Sequence, residues 1–346
     1  MENLKDNPFL IDIDQVDSLF NKLVFRTEQA DPICCRTEWQ ISFHEAFSPF
    51  RSLIINNTED SLIAFATYFF PSVGYILEPL ENHWFFACPL LGDNPNELLI
   101  SLLQKEPFLK NPPYIIISGL IRESKITRTL IRFFQKRYDI SLLEPTLYRS
   151  ASLEDGLDGY LSRRTAKLRK NLKSAERKAQ RENIVFEFVN PKSIQEADSI
   201  YSKVTDIERR SWKGINNCGI TVQPSYSFYR LLIMRMTLSK TIRILFARHG
   251  SKYIGYMFGG VAGGYYRGQQ FSYDEDYSHY SIGNLLQINM INRLAQENIQ
   301  RYDMGQDMEY KRIWAEIRLE TNTILLKPKV YNNPKIAIRS AVSEFL

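Results

Sequence analysis

The chain has 346 residues, a length that suits about two domains. Apolar residues make up 44% and charged residues 24%, which excludes wholesale disorder, and 16 glycines with 15 prolines are too few for a collagen or a linker. A net charge of +5 excludes a strongly basic nucleic-acid tail but leaves room for one basic face. Ser52–Asn56 and Leu62–Phe70, parted by turn-forming residues 57–60, predict a hairpin. A short helix follows over Leu98–Lys105, and a buried strand over Tyr114–Ser118. Ser124 caps a helix that carries Ile126, Leu130 and Phe134 on one face, and Leu142–Tyr148 reads as a strand.

Leu157–Arg181 predicts one long helix with Leu157, Leu161, Leu168, Leu172, Ala175 and Ala179 on its apolar stripe. Its other faces carry nine cations between Arg163 and Arg181 against one acid, Glu176. Helices are expected over Ile194–Arg209 and Tyr226–Leu238. Strands follow over Ile242–Arg248, Lys252–Ala262 and Tyr265–Tyr273, with a tight turn at Gly263-Gly264. Then come a helix over Ile282–Glu297, a strand over Ile299–Met304, a helical turn over Glu309–Trp314 and a strand over Glu320–Lys327. The chain is thus expected to hold two α/β halves, 1–150 and 151–346.

Four cysteines lie in no CxxC, and four dispersed histidines show no zinc spacing, so no metal site is expected. A reduced, cytoplasmic setting fits these cysteines best. No signal peptide is read at the N-terminus, and the longest uncharged runs contain helix breakers, so no membrane insertion is expected.

The segment from Phe271 to Trp314 carries the chemistry. After the strand ending at Tyr273 the chain passes Tyr280-Ser281-Ile282-Gly283-Asn284 and enters a helix. A small-residue loop there offers free N–H groups and the positive end of the helix dipole to a phosphate, and Gly283 lets the backbone come close. The alternative for Ser281 is a simple N-cap.

Strand, strand, strand, turn, helix, strand, helix, strand is the core order of the GNAT acyltransferase superfamily. YDEDYSHYSIGNLL, RYDMG and EYKRIW resemble the CelD-like acetyltransferases of that superfamily, which in turn resemble the FemAB-type aminoacyl transferases. Glu208-Arg209-Arg210-Ser211-Trp212-Lys213-Gly214 also matches that branch. The likeness covers about residues 155–328, and the first half resembles a degenerate GNAT-like half in pattern only. It implies an α/β (α+β) fold of tandem GNAT-like halves, each a mixed, mostly antiparallel twisted sheet flanked by helices. One departure stands: the phosphate motif Q/R-x-x-G-x-G/A keeps a single glycine here and no arginine.

The resemblance implies an acyl-CoA-dependent N-acyltransferase, most simply an acetyltransferase. The acyl group would pass by direct attack to an amine of a small molecule or a cell-envelope or polysaccharide precursor. Residues 280–284 would hold the acyl-CoA co-substrate. Asp274, closing the third strand, is the first candidate for the base or an amine-binding anion, against a turn-capping role; its neighbours Glu275 and Asp276 are reserves. Lys311 would stabilise the oxyanion and Tyr310 would protonate the leaving thiolate, against a solvated lysine and a packed ring. Glu208, Trp212 and Asp303 would shape or orient the acceptor side, and the first half would supply structure and part of that side. The basic helix is a solvated face, a collector of an anionic donor, or, last, a membrane-surface helix. One rival is a FemAB-like transferase that uses aminoacyl-tRNA. Another is a non-catalytic binding protein on the same fold.

Overall fold

The computed structural model describes residues 13–28 and 31–329. They form two compact units. The first takes the chain up to Gln40, Ser48–Thr146 and the chain from Thr321; the second takes Ile41–Phe47 and Leu147–Glu320. Simple halves divided at residue 150 differ from this in two places. A seven-residue helical piece, Ile41–Phe47, groups with the second unit, and the last strand begins in the second unit and ends in the first.

In chain order the elements up to residue 142 are α1 (Ile13–Val24), α2 (Thr37–Phe47), β1 (Ser52–Asn57), β2 (Ser61–Phe70), β3 (Gly74–Pro79), β4 (Leu90–Gly92), α3 (Pro95–Leu103), β5 (Tyr114–Leu120), α4 (Lys125–Phe134) and β6 (Tyr138–Leu142). The first unit's sheet runs β1-β2-β3-β5, with β4 beside β2. The expected hairpin is β1–β2, in register from Ser52↔Thr67 to Asn57↔Leu62. Ser124 caps α4 as its sequence predicted, its side chain accepting from the Thr127 N–H at 3.2 Å.

The remaining elements are β7 (Thr146–Ser152), α5 (Gly156–Ser162), α6 (Ala166–Arg181), β8 (Ile184–Val189), α7 (Ile194–Arg209), α8 (Trp212–Ile215), α9 (Ser225–Leu238), β9 (Ile242–His249), β10 (Lys252–Ala262), β11 (Tyr265–Tyr273), α10 (Ile282–Gln296), β12 (Arg301–Gln306) and β13 (Ile317–Pro328). Single 3-10 turns span Glu275–Tyr280 and Glu309–Ile313. The second unit's sheet runs β7-β12-β11-β10-β9-β8. All its pairs are antiparallel except β11–β12, which is parallel.

Two expected elements are divided. The strand over 142–148 is the end of β6 and the start of β7, because Pro145 has no N–H to give a ladder. The single helix over 157–181 is α5 and α6. The first ends at Ser162 with Arg163 as its C-cap, and Thr165 caps the second, its side chain accepting from the Leu168 N–H at 3.2 Å.

Alternation sends successive strand residues to opposite faces of the second unit's sheet. Leu245, Ala247, Ile254 and Met257 pack with Leu168, Leu172, Ala175 and Ala179 of α6 and with Leu285, Leu286, Met290 and Leu294 of α10. The intervening Tyr256 and Phe258 meet α7 and α9 instead. The Tyr256 hydroxyl donates to Glu208, and the Phe258 ring lies 6.1 Å from that of Tyr229. Burying each leucine of the α6 stripe contributes roughly 1.5–3 kcal/mol.

Candidate active site

Every site residue expected from the sequence lies in the second unit. Their frame is β11. Its first three residues pair with β12, Tyr265↔Arg301, Tyr266↔Tyr302 and Arg267↔Asp303. Beyond them β12 turns away through a register shift between Asp303 and Gln306, where it pairs with β7. β11 from Gly268 to Tyr273 then pairs only with β10 among the described residues. The Asp274 N–H donates to the Ile254 carbonyl at 2.8 Å. By antiparallel alternation the backbone groups of Phe271 therefore point to the open edge.

At the far end of this edge stands the start of α10. Ser281 is left-handed, with φ 57°, and its side chain makes no capping bond. Ile282 is buried against β10, where a Cβ on Gly255 would come within 2.8 Å of its Cγ2, so Gly255 lets the helix start approach the sheet. A Cβ on Gly283 would meet the Tyr273 ring at 3.0 Å and the Phe271 ring at 3.4 Å. Gly283 thus makes room for two rings of β11, a packing reason in addition to the close approach read from the sequence. At the start of α10 the Ser281 N–H donates to the Ser278 carbonyl at 3.0 Å and the Asn284 N–H to the Ser281 carbonyl at 3.0 Å, which leaves the N–H groups of Ile282 and Gly283 to face a ligand. Tyr280 precedes them, with the Lys178 ammonium of α6 5.0 Å from its ring and 2.9 Å from the His279 carbonyl. Asn284 is half-buried in the first turn of α10.

At the closed end Arg267 and Asp303 are both buried and ion-paired, Nη1 to Oδ1 at 2.8 Å. The same Asp303 oxygen accepts the Gly305 N–H at 2.9 Å, and the Tyr148 ring lies 5.3 Å from the guanidinium. Gly305 has φ 76°, so glycine lets β12 bend there. Lys311 follows on the second 3-10 turn, its Nζ 3.0 Å from the Gln306 carbonyl and 5.6 Å from the Tyr310 ring. Burial, with the like charge of Arg267 second, pulls Lys311 down to about 8. Tyr310 is 46% exposed, lies 6.2 Å from Phe271 ring to ring, and is pushed up to about 12 by burial of its hydroxyl. Arg149 grips Asp307 through two bonds, 2.8 and 3.0 Å, and so anchors the segment leading to Lys311.

Glu208 has no exposure. Its carboxylate accepts from the Tyr256 hydroxyl at 2.9 Å and the Ile220 N–H at 3.3 Å, and a Cβ on Gly219 would lie 2.5 Å from it. Residues 211–220 thus fold around it. Trp212, in that loop, is 52% exposed rather than core. Lys213 was quoted in the sequence match but given no role. Its Nζ donates to the Phe271 carbonyl at 2.8 Å and to Gln270 Oε1 at 3.1 Å, with Glu208 at 3.9 Å. Arg267 was missed as well; the available signal was the single charged residue in an otherwise uncharged, aromatic-rich strand.

Asp274 closes β11 as expected, but its carboxylate is committed. Oδ2 takes Arg210 Nε at 2.7 Å and Lys252 Nζ at 2.8 Å, and Oδ1 caps the following turn through the Asp276 N–H at 3.2 Å. Burial would raise it, but the bonds from Lys252 and Arg210 prevail and hold it below the usual carboxylate range. Glu275 and Asp276 beside it are exposed.

Residues 166–312 match the family model for the acetyltransferase (GNAT) domain. Solved structures of the same fold accompany that match. FemX superposes with a TM-score of 0.62 at 9% identity, over 88% of this chain and 95% of that one. L-PGS from Bacillus licheniformis gives 0.54 at 12%, over 92% and 96%. A conserved protein of unknown function from Bacteroides thetaiotaomicron gives 0.59 at 13%, over 92% and 99%. At such identities these likenesses establish the fold alone. No curated protein is a sequence match. The second unit therefore has the GNAT acyltransferase fold, and no helix among the described residues is long and apolar enough to cross a membrane.

Proposed function

We propose that this protein is an acyl-CoA-dependent N-acyltransferase of the CelD-like kind, most simply an acetyltransferase, with the second unit as its catalytic body. The observation that carries this reading is the open edge of β11. Beyond Arg267 its one strand partner among the described residues is β10, and it leads to the start of α10, with Tyr310, next to Lys311, ring to ring with Phe271 at 6.2 Å. An extended thioester donor adds along such an edge by main-chain hydrogen bonds. Its pyrophosphate then lies against residues 280–284 and meets the N–H groups of Ile282 and Gly283, since those of Ser281 and Asn284 are bonded to carbonyls.

Chemically, the amine lone pair attacks the thioester carbon and the carbonyl electron pair moves onto oxygen. The Lys311 ammonium holds that oxyanion. Collapse expels the thiolate, which takes a proton from Tyr310; the proton lost by the amine restores the phenol. At a value of about 12 Tyr310 stays protonated at neutral pH and so can donate. Asp274 is assigned to fixing the end of β11 rather than to taking a proton, because two cations hold its carboxylate ionised. Asp303 orients Arg267, and Glu208 with Trp212 shapes the acceptor side. The first unit is a degenerate, structural counterpart in this reading, and the setting is cytoplasmic.

The aminoacyl-tRNA alternative is supported by the likeness to FemX and by the exposed cations of α6, Lys167, Lys170, Lys173, Arg177 and Arg181. Against it, α6 and α7 are only 16 residues long, and FemAB-type proteins often insert a long helical hairpin. Calorimetry with acetyl-CoA and free CoA decides. Micromolar binding supports the CoA donor. No binding overturns it and turns attention to aminoacyl-tRNA, whose affinity must fall steeply with salt.

A further inference from the structure

The turn that carries Tyr310 and Lys311 is seated from outside itself. Of its residues, Glu309–Ile313, four are exposed and Lys311 is half-buried, so no apolar side chain of its own anchors it. Arg149 fixes the chain ahead of it through Asp307. Behind it the Lys311 carbonyl accepts the N–H groups of Trp314 and Ala315, both at 3.0 Å. Trp314 and Ala315 are buried, so whatever seats them seats Lys311.

Two groups from the region where α5 gives way to α6 do this. The Tyr160 hydroxyl of α5 donates to the Trp314 carbonyl at 2.9 Å, and Tyr160 has no exposure. Arg164, between the two helices, is ion-paired with Glu316, and its guanidinium lies 4.7 Å from the centre of the Tyr160 ring. One side chain thus meets both holds on the turn: the carboxylate two residues past Trp314, and the ring whose hydroxyl bonds Trp314. Glu316 also accepts the Ser152 N–H at 3.0 Å, with Arg163 Nε at 3.4 Å. Arg169 donates to the carbonyls of Arg164 and, at 3.2 Å, Leu161, which fixes the break between the helices. Of the nine cations between Arg163 and Arg181, Arg164 alone is buried. Burying a guanidinium costs much of what its ion pair returns, so stability is a poor reason to keep one there. Its two contacts supply a geometric reason.

We infer that Arg164 is a positioning residue for the Tyr310-Lys311 turn, acting through Glu316 and through Tyr160. The inference rests on the acyl-transfer reading above and adds no chemical step to it. The path runs from Arg164 to Glu316 and Tyr160, from these to residues 314–316, and from Trp314 and Ala315 to the Lys311 carbonyl. The charges that Lys311 feels are Arg267 of β11, Asp303 of β12, Lys213 of α8 and Asp307. Arg164 works through the backbone instead, by setting where the ammonium stands and how much water reaches it. An oxyanion donor must be in place before the charge develops, so a turn held only from behind makes that hold part of the site.

The test uses the full chain, with acetyl-CoA as donor and glucosamine, lysine and spermidine as trial acceptors, followed by thiol release. A second arm needs no turnover: acetic anhydride labels the protein over a series of pH values, and mass spectrometry reads the midpoint at which Lys311 becomes reactive. Tyr160→Phe removes one hydrogen bond and no charge; Arg164→Met removes the ion pair. The expected kcat falls by about tenfold in the first and about 10² in the second, the scale of a small misplacement of a catalytic group, while acetyl-CoA affinity by calorimetry stays within about threefold. A loosened turn lets water reach Lys311, so in both variants the alkaline limb of the rate and the labelling midpoint rise from about 8 toward the ordinary 10.5. Arg243→Met is the control. It breaks an ion pair with Glu297, 2.7 Å long, outside the turn, and should lower the melting temperature with rate and midpoint unmoved. Rates and midpoints in Tyr160→Phe and Arg164→Met that match this control overturn the inference and leave the acyl-CoA reading standing. A lower rate with an unmoved midpoint overturns it too, because the turn has not shifted. A parent that neither binds nor turns over acetyl-CoA overturns the acyl-CoA reading, and the labelling midpoint alone then decides the positioning. Should Arg164→Met fail to fold, Glu316→Gln takes its place with the same expected directions.

Discussion

The two faces of the second unit's sheet contribute to the site in different ways. The face under α6 and α10 is apolar: Leu168, Leu172, Ala175, Leu286 and Met290 pack there, and it reaches the site chiefly through the main chain at the start of α10. The face under α7 and α9 is buried yet polar. It holds one network of Glu208, Tyr256, Lys213 and Gln270 and a separate ion pair of Arg267 with Asp303. Burying a charge is expensive unless it is paired, so such a concentration needs a reason beyond stability. The contrast separates two jobs. On the proposed acyl-transfer reading, one face builds a rigid helix whose end receives the anionic donor, and the other holds side chains toward the carbonyl to be attacked.

The strongest way to break this contrast is to remove the side chain on which the polar face converges. Lys311→Ala is expected to lower kcat by about 10²–10³ with donor affinity little changed. The parent rate should also fall as pH rises past about 8, since only the ammonium stabilises an oxyanion. A rate that instead climbs through pH 8 would make Lys311 a base. Stability moves the other way. The folded value lies below the ordinary 10.5, so the unfolded chain binds the extra proton between pH 8 and 10.5. The native state is therefore penalised below that window and gains as pH rises through it. Lys311→Ala should accordingly melt no lower than the parent at pH 7, which separates lost chemistry from lost fold.

A smaller effect is expected at Asp274, where the polar network serves structure. Asp274→Asn leaves Arg210 and Lys252 facing a neutral amide, and thermal melts should show a loss of about 2 kcal/mol, limited by the partial exposure of both cations. Turnover should stay within a few-fold; a loss of 10² or more would restore the carboxylate as a base. The pH dependence has a definite sign. A carboxyl held below 3.8 stabilises the fold above that pH, and the contribution is lost as pH falls through the lowered value. The parent and the variant should converge in acid.

The apolar face was the more legible in sequence. The stripe of Leu168, Leu172, Ala175 and Ala179 is a period that only a packed helix explains, and all four are buried. Its one misreading was continuity: Thr165 can cap a helix as well as sit inside one, and the residues alone do not rank the two. The turn at 280–284 was visible from its small residues before a helix, whereas the duty of Gly283 toward Tyr273 depends on a strand ten residues away. The polar face was half legible. Lys311 and Asp303 stood in a recognisable motif, but Arg267 and Lys213 gain meaning only when β11 parts from β12, which is a matter of long-range pairing. Asp274 shows the reverse limit. Its place at the strand end was correct, yet its partners Arg210 and Lys252 are remote in sequence, so the charge committed to it could not be read.

The smallest expected effect sharpens the comparison most directly, because it asks whether the apolar face acts through backbone alone. Ser281 carries a side chain in a left-handed conformation, φ 57°, without a capping bond to offset it. For a residue with a Cβ that conformation costs roughly 1–2 kcal/mol, while glycine adopts it freely but loses more entropy on folding. Ser281→Gly should therefore raise stability by about 0.5–1 kcal/mol, read as a higher melting temperature. Acetyl-CoA affinity should be unchanged, since the N–H groups that meet the donor remain in place. Should the affinity fall tenfold while the fold is firmer, the Ser281 hydroxyl itself would be a donor ligand. The apolar face would then contribute a side chain after all, and the division of labour between the two faces would have to be withdrawn.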